Sequence, residues 1–210
     1  MPLPFLLLLF LFALAPDPAP AEAPPFRITV LGDSLVAGYG LTAADAFPAQ
    51  LERALRERGC RVAVSNAGVS GDTTAGGRAR LDWVLVDAPQ LVIVELGAND
   101  ALRGLPPEAA ADNLDAILAR LRERGIPALL AGMRAPRNLG AEYYTKFDAL
   151  YPRLAERFQV PLYPFFLEGV TGVPGLNQED GIHPNSKGVA EIVRRILPLV
   201  VSTLGPGVCP

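Results

Sequence analysis

The feature that most constrains the fold is a regular alternation of short apolar runs with longer amphipathic runs, beginning near residue 26. Continuous apolar runs indicate strands covered on both faces, whereas apolar residues three and four apart indicate helices with one buried face. The predicted strands are Arg27–Leu31, Arg61–Val64, Gln90–Leu96, Pro127–Ala131 and Val160–Tyr163. The predicted helices are Phe47–Arg58, Thr73–Asp87, Glu108–Arg124, Ala141–Phe158 and Ser186–Leu204.

This order of elements specifies the fold class. Strands separated by helices pair in parallel through right-handed crossovers. We therefore predict an α/β protein with three α/β/α layers and a flavodoxin-like, doubly wound, five-stranded parallel sheet. Pro152 is expected to kink or split its helix, and Pro198 to bend the last one. Doubly wound sheets bind ligands beyond the carboxyl ends of their strands, so the functional residues should follow the strands.

The two ends of the chain are predicted to lie outside the folded domain. Residues 3–15 are apolar, too short a run to cross a membrane, and suit a signal peptide with small-residue cleavage sites. We expect a signal peptide over residues 1–21, a Pro/Ala spacer over 22–25, a single domain over 26–204 and a tail over 205–210. The mature protein would then be periplasmic or secreted, with no stable membrane span.

The N-terminal interpretation has alternatives. No Lys or Arg precedes the apolar run, so an uncleaved membrane anchor or a misplaced start codon stays open. Export would permit a disulfide between Cys60 and Cys209, but the sequence does not decide whether their Cα atoms come within bonding range.

Charge and residue counts exclude several function classes. The chain has 19 Lys and Arg against 22 Asp and Glu, a net charge of −3, and no basic cluster. A nucleic-acid partner would require a basic face against the phosphates, so we expect none. One histidine and two cysteines supply too few ligands for a zinc site of the Cys/His type. Any mechanism that needs an imidazole must use His183.

The segment before the last helix carries a candidate acid–base pair. Pro184 biases His183 away from helical geometry, so the helix begins just after it, with Asn185 as a plausible N-cap. Asp180 and His183 then share a turn in which the carboxylate can orient the ring and stabilise its charged form. A surface histidine in a turn that Asp180 helps to cap is the simpler alternative for an isolated Asp-x-x-His.

A candidate nucleophile follows the first strand. Ser34 comes directly after Gly32-Asp33, a tight turn that would project its hydroxyl over the sheet edge, where an imidazole could remove its proton. The alternative is an N-cap serine for a short helix at residues 35–38. We interpret Asp33 as a loop stabiliser that accepts backbone N–H bonds.

Acyl transfer also requires hydrogen-bond donors where negative charge develops on the substrate oxygen. Gly71, after the second strand, offers a backbone N–H without a side chain, and Asn99, after the third, offers an amide N–H. A turn glycine and a helix-capping asparagine are the alternatives, since both residue types are common in turns.

Four segments together resemble the four blocks of the SGNH (GDSL) hydrolases. They are Gly-Asp-Ser-Leu at residues 32–35, the block containing Gly71, the Gly-Ala-Asn-Asp block containing Asn99, and Asp180-x-x-His183. The resemblance extends from about residue 28 to residue 193 and is strongest to the exported bacterial branch of acyl-CoA thioesterase I, lysophospholipase and arylesterase.

The resemblance implies a role for each of these residues. Ser34 would be the nucleophile, His183 the base and Asp180 its partner. The oxyanion hole would consist of the Ser34 N–H, the Gly71 N–H and the Asn99 side chain. The resemblance also implies that neither a metal nor a cofactor takes part.

The loops after the third and fifth strands predict the substrate class. Residues 101–106 and 165–170 are mainly apolar, which favours an acyl or aryl group over a sugar. We therefore expect a small-molecule acyl or aryl ester or thioester as the partner of a monomeric enzyme. The predicted substrate contacts are Leu102, Leu105, Phe165, Phe166 and Leu167.

Three alternatives stay open at this stage. One is a carbohydrate O-deacetylase of the same family, and another is an inactive, carbohydrate-binding relative, which a serine-reactive probe would distinguish from an enzyme. The third is a flavodoxin-like binding module for phosphate or flavin. The chain has no G-x-x-x-x-G-K-[ST] or G-x-G-x-x-G motif, and Asp33 disfavours a phosphate in the first loop.

Overall fold

The sheet of the computed structural model, which describes residues 24–210, has five parallel strands in the order β2-β1-β3-β4-β5. This is the flavodoxin-like order, so the predicted doubly wound α/β fold is confirmed. The direction of winding reverses between β1 and β3, and the ligand site of such a sheet lies beyond their carboxyl ends. The strands are β1 (Phe26–Gly32), β2 (Val62–Gly68), β3 (Leu91–Glu95), β4 (Ala128–Ala131) and β5 (Leu162–Tyr163).

Helices pack around the sheet in two groups. Helix α2 packs on α8, and helix α6 packs on α3 and α7. Short 3-10 turns cover residues 43–45 and 137–139. The helices are α1 (Ser34–Ala37), α2 (Phe47–Glu57), α3 (Thr74–Ala79), α4 (Leu81–Val84), α5 (Ala98–Leu102), α6 (Pro107–Glu123), α7 (Ala141–Phe158) and α8 (Ser186–Thr203).

The register of the central strands aligns the ends that carry the site. Gly32, the last residue of β1, pairs with Gly68 of β2 on one side and with Glu95 of β3 on the other. All five residues of β3 are buried, as its continuous apolar sequence predicts. The loops that follow β1, β2 and β3 therefore leave the sheet side by side.

One helix prediction is wrong in detail, and another is wrong in part. The predicted helix Thr73–Asp87 breaks at Arg80 into α3 and α4. The guanidinium of Arg80 is held by the Asp72 carboxylate and the Gly32 carbonyl, so tertiary bonds override the local pattern there. Pro152 does not split its helix, because α7 continues through it and buries residues on both sides of it, and the expected kink stays a prediction.

Both cysteines of the sequence form one disulfide, Cys60–Cys209, across a sequence separation of 149 residues. The C-terminal segment is further held by the Arg61 N–H, which donates to the Val208 carbonyl at 3.0 Å. The predicted tail over residues 205–210 is therefore attached to the start of β2. It does not hang free.

The predicted signal peptide lies outside the described residues, and the predicted domain boundaries stay predictions. Within residues 24–210, every helix is too short or too polar to cross a bilayer.

Candidate active site

The turn after β1 positions Ser34. A side chain at Gly32 would collide with Val36 and with the Glu95 backbone, so this position requires glycine. Asp33 is the N-cap of α1, and its Oδ1 accepts the Leu35 N–H at 3.0 Å. The prediction that Asp33 stabilises the loop is therefore confirmed. The alternative that Ser34 caps the helix is wrong, because Ser34 is the first residue inside α1.

A short loop before α8 presents Asp180 and His183. Asn177 and Pro184 form an antiparallel bridge, and the Gln178 N–H donates to the His183 carbonyl at 2.8 Å. The predicted N-cap is confirmed, since the Asn185 side chain accepts the first free N–H groups of α8. The histidine is thereby placed at the sheet edge, where the β1 turn also ends.

Two short hydrogen bonds connect the serine, the histidine and the aspartate. Ser34 Oγ lies 2.9 Å from His183 Nε2, and His183 Nδ1 lies 2.6 Å from Asp180 Oδ2. Asp180 Oδ1 also accepts the backbone N–H groups of His183 and Ile182. The His183 N–H bond, the His183 ring and the Ile182 N–H lower the pKa of Asp180 to about 2. In the neutral form of the ring, the ionised Asp180 places the proton on Nδ1, which leaves the Nε2 lone pair facing Ser34.

Two arginines hold the loop after β2: Arg103, at the end of α5, and Arg80, which also contacts the nucleophile turn. Gly71 has a φ of +84°, a conformation that favours glycine, and its carbonyl accepts Arg103 Nη2 at 2.7 Å. Arg80 donates to Asp72 Oδ2 at 2.7 Å and to the Gly32 carbonyl at 2.9 Å. Both arginines act on backbone far away in sequence, and no sequence motif identified them.

A hydrogen bond to Asp33, the residue before Ser34, positions the side chain of Asn99. Its Nδ2 donates one proton to Asp33 Oδ2 at 3.1 Å, which leaves the second amide proton available for a hydrogen bond to a bound substrate. Gly97 is the N-cap of α5, so the alternative that Asn99 caps the helix is wrong. Among the residues that the structure describes, the backbone N–H groups of Ser34 and Gly71 have no protein acceptor.

A buried acid–hydroxyl pair fastens the β3 loop to α3. Asp100 accepts the Thr74 N–H at 2.8 Å and the Thr74 hydroxyl at 2.6 Å, and Asn113 donates to the same hydroxyl. Asp100 directly follows Asn99, but no pattern in the sequence predicted a function for it. Tyr39 was also not predicted, and its ring packs 4.7 Å from that of His183.

The five predicted substrate contacts fall into different environments. Leu102 and Leu105 are 54% and 37% exposed, and both follow Asn99 closely in the chain. Phe165 and Leu167 are half-buried, and Arg134 lies over the Phe165 ring. Phe166 is completely buried and packs edge-on against Phe47 in the core, so the prediction that it contacts substrate is wrong. An apolar loop sequence does not distinguish the residue that turns inward from its neighbours.

Within residues 24–210 no group of three or more His, Cys, Asp or Glu side chains is arranged to hold a metal ion. This observation does not test the expectation that the reaction uses neither a metal nor a cofactor, which stays a prediction.

A hydroxyl bonded to an imidazole, which is itself bonded to a carboxylate, can generate a nucleophile for attack on a carbonyl. This arrangement of three side chains lies at the carboxyl edge of a doubly wound sheet. Together, the fold and the arrangement define a class of proteins, the hydrolases that act on acyl groups. The chain belongs to the GDSL-like lipase/acylhydrolase family, whose sequence model matches residues 30–190. The resemblance to this family is therefore confirmed, and the protein is a carboxylic ester or thioester hydrolase.

Individual relatives agree with this assignment. The chain is 42% identical over 175 residues to an arylesterase of Vibrio mimicus, covering 81% of this chain and 88% of that protein. It is 44% identical over 159 residues to "Thioesterase 1/protease 1/lysophospholipase L1" of Escherichia coli strain K12, covering 75% of each. The crystal structure of AlinE4, an SGNH-hydrolase family esterase, matches with a TM-score of 0.73 and 50% identity, covering 88% of this chain and all of that one.

Proposed function

We propose that the protein hydrolyses acyl and aryl esters and thioesters through an acyl-enzyme on Ser34, with His183 as general base and Asp180 as its partner. The observation that carries this proposal is the pair of hydrogen bonds, 2.9 Å and 2.6 Å, that connects the three side chains. The first is within the range from which a base can take the proton of a nucleophile.

In the first half of the reaction, His183 Nε2 takes the Ser34 proton as Oγ attacks the substrate carbonyl carbon. The carbonyl oxygen becomes an oxyanion, which the Ser34 and Gly71 N–H groups and the Asn99 amide stabilise. The intermediate collapses, and His183 gives the proton to the departing alcohol or thiol. Asp180 stabilises the imidazolium throughout and keeps its own charge.

In the second half, a water molecule attacks the acyl-enzyme while His183 accepts one of its protons. The second tetrahedral intermediate uses the same N–H donors. It collapses to release the carboxylic acid, and His183 returns the proton to Ser34 Oγ. Protons and electron pairs balance over the two halves, so these residues require no external oxidant or reductant.

The exposed leucines support an apolar acyl or aryl substrate. Leu102 and Leu105 follow the proposed oxyanion donor Asn99 and leave apolar surface uncovered. The names of the two relatives, arylesterase and thioesterase 1/protease 1/lysophospholipase L1, agree with this substrate class.

A hydrolysis panel tests the proposed function. Wild-type protein and Ser34→Ala would be assayed on p-nitrophenyl esters of increasing acyl length, phenyl acetate, acyl-CoA, a lysophospholipid and an acetylated sugar. We expect turnover of the acyl and aryl substrates, all of it lost in Ser34→Ala. Turnover of the acetylated sugar alone would support the deacetylase, and no turnover at all would support a non-catalytic binding protein.

We also propose that the mature protein is periplasmic or secreted and monomeric. The disulfide between Cys60 and Cys209 supports an oxidising compartment, because cytosolic thiols are kept reduced. Fractionation of cells and the mass of the purified native protein would test the two parts separately.

A further inference from the structure

Glu95 is a buried acid for which the mechanism above has no use. It is the last residue of β3, lies in the middle of the sheet between Gly32 and Ala131, and is fully buried. Its Oε2 accepts one long bond, from the Asp33 N–H at 3.4 Å, and its Oε1 has no hydrogen-bond partner. Among residues 24–210 no Lys, Arg or His forms an ion pair with it. A carboxylate in such a place lacks the partners that a buried charge requires.

The neighbour of Glu95 is a second buried carboxyl group, Asp33. Asp33 accepts the Leu35 N–H through Oδ1 and the Asn99 amide through Oδ2. Two adjacent buried carboxyl groups do not both ionise, so the pair holds one proton over a wide pH range. Asp33 has two N–H donors to stabilise its anion, whereas Glu95 has one long bond, so the proton belongs on Glu95.

The directions of the pKa shifts agree with this distribution. Burial, followed by the charge of Asp33, raises the pKa of Glu95 well above its ordinary value of 4.5. Burial raises the pKa of Asp33 to about 6, and the Leu35 and Asn99 bonds oppose that rise. Of the two carboxyl groups, Asp33 is therefore the one that ionises first and Glu95 the one that keeps the proton.

We propose that Glu95 is a positioning residue that acts as a neutral carboxylic acid beneath the nucleophile turn, supporting the Asp33 anion that orients Asn99. Its carboxyl group occupies the space directly under Gly32, which a side chain at that glycine would enter. A charged Glu95 would drive the proton onto Asp33 and weaken the bond that holds the Asn99 amide. The effect on catalysis passes from Glu95 through Asp33 to the oxyanion donor, and so it rests on the proposed function.

Substitutions separate this role from simple packing. Glu95→Gln keeps the shape, the neutral charge and an oxygen for the Asp33 N–H, so kcat should stay within about threefold of wild type. Glu95→Ala removes that acceptor, so kcat should fall about ten- to a hundredfold with little change in KM, because oxyanion donors act in the transition state. Ile93→Ala, a buried position on the same strand and face, is the matched control and should lose stability while keeping kcat.

Two measurements report on Glu95 without any substrate. The infrared spectrum at pH 7.5 should show the carbonyl stretch of a protonated carboxylic acid in wild type and in Asp33→Asn, and lose it in Glu95→Gln. The melting temperature should also distinguish the variants. Folding raises the pKa of Glu95, so its contribution to the stability of wild type decreases as pH rises from 4.5 to the pKa of the folded protein. Over this pH range the melting temperature of Glu95→Gln should therefore increase relative to that of wild type.

A failure of the Glu95 proposal is distinguishable from a failure of the proposed function, because the activity of Ser34→Ala tests the proposed function independently of the Glu95 variants. The proposal is overturned if the acid band is absent from wild type, or if the melting difference between wild type and Glu95→Gln is independent of pH. It is also overturned if folded Glu95→Ala keeps wild-type kcat, or loses no more kcat than Ile93→Ala does at equal stability.

Discussion

At the scale of single residues, Ser34 and His183 are joined by a 2.9 Å hydrogen bond and are expected to act as one unit. Ser34→Ala, His183→Ala and the double variant should each lower kcat by a similar factor, ~10⁴ or more, because removing either residue already disables nucleophile activation. Steady-state kinetics on p-nitrophenyl butyrate would measure all three. Losses that multiply in the double variant would show that the two residues act independently.

The ionisation of single residues also determines how activity is expected to depend on pH. Asp180 has a pKa of about 2 and stays ionised in the working range, so it does not limit the rate in mild acid. His183 must be neutral to accept the Ser34 proton, and Asp33, with a pKa of about 6, must be ionised to hold Asn99 firmly. The value of kcat/KM should therefore fall as pH drops through about 6. A profile that is flat from pH 8 down to pH 5 would contradict the requirement for an ionised Asp33.

At the scale of helices, strands and loops, the sequence predicted the elements well where a local pattern determines them. The apolar run of β3 and the capped helix α8 are confirmed with shifts of at most one residue at their ends. The break at Arg80 was not predictable, because it depends on Asp72 and on the Gly32 carbonyl, which a local pattern does not contain.

The disulfide is the element-scale feature with the clearest expected effect on stability. It links the start of β2 to the C-terminal segment across 149 residues, at the end of the sheet opposite the candidate site. In the chain-entropy description, a loop of this length contributes about 2–5 kcal/mol to the free energy of unfolding. Reduction of the disulfide should lower the melting temperature and leave kcat unchanged at temperatures well below melting.

The double variant with alanine at Cys60 and Cys209 is the control for this reduction. It should melt as the reduced wild type does and should not respond to the reductant. A melting temperature that reduction leaves unchanged would mean that the bond contributes nothing to stability, or that it does not form.

The loops after β3 and β5 are expected to determine which acyl chain lengths the enzyme prefers. If Leu105 lines the acyl site, Leu105→Ala should lower kcat/KM for long acyl esters and leave acetate esters nearly unchanged, because each buried methylene contributes ~0.8 kcal/mol. The buried Phe166 supplies the contrast, since Phe166→Ala should lose about 3–5 kcal/mol of stability and affect all substrates alike. A uniform loss in Leu105→Ala that follows its melting temperature would assign Leu105 to packing instead.

At the scale of the whole molecule, the sequence predicted the site residues that belong to compact motifs. Ser34, Asn99 and His183 each follow a strand or precede a helix, and parallel topology brings such positions to one edge. The residues that hold them in place were missed. Arg80 and Glu95 contact partners 48 and 62 residues away, and neither belongs to a recognisable motif.

Covalent labelling tests the central claim, that Ser34 is the nucleophile, most directly. Folded wild-type protein would be treated with a fluorophosphonate and digested, and the modified peptide identified by mass spectrometry. We expect one adduct, on Ser34, that is absent from Ser34→Ala and forms much more slowly in His183→Ala. An adduct on another residue, or labelling that persists in folded Ser34→Ala, would contradict the account.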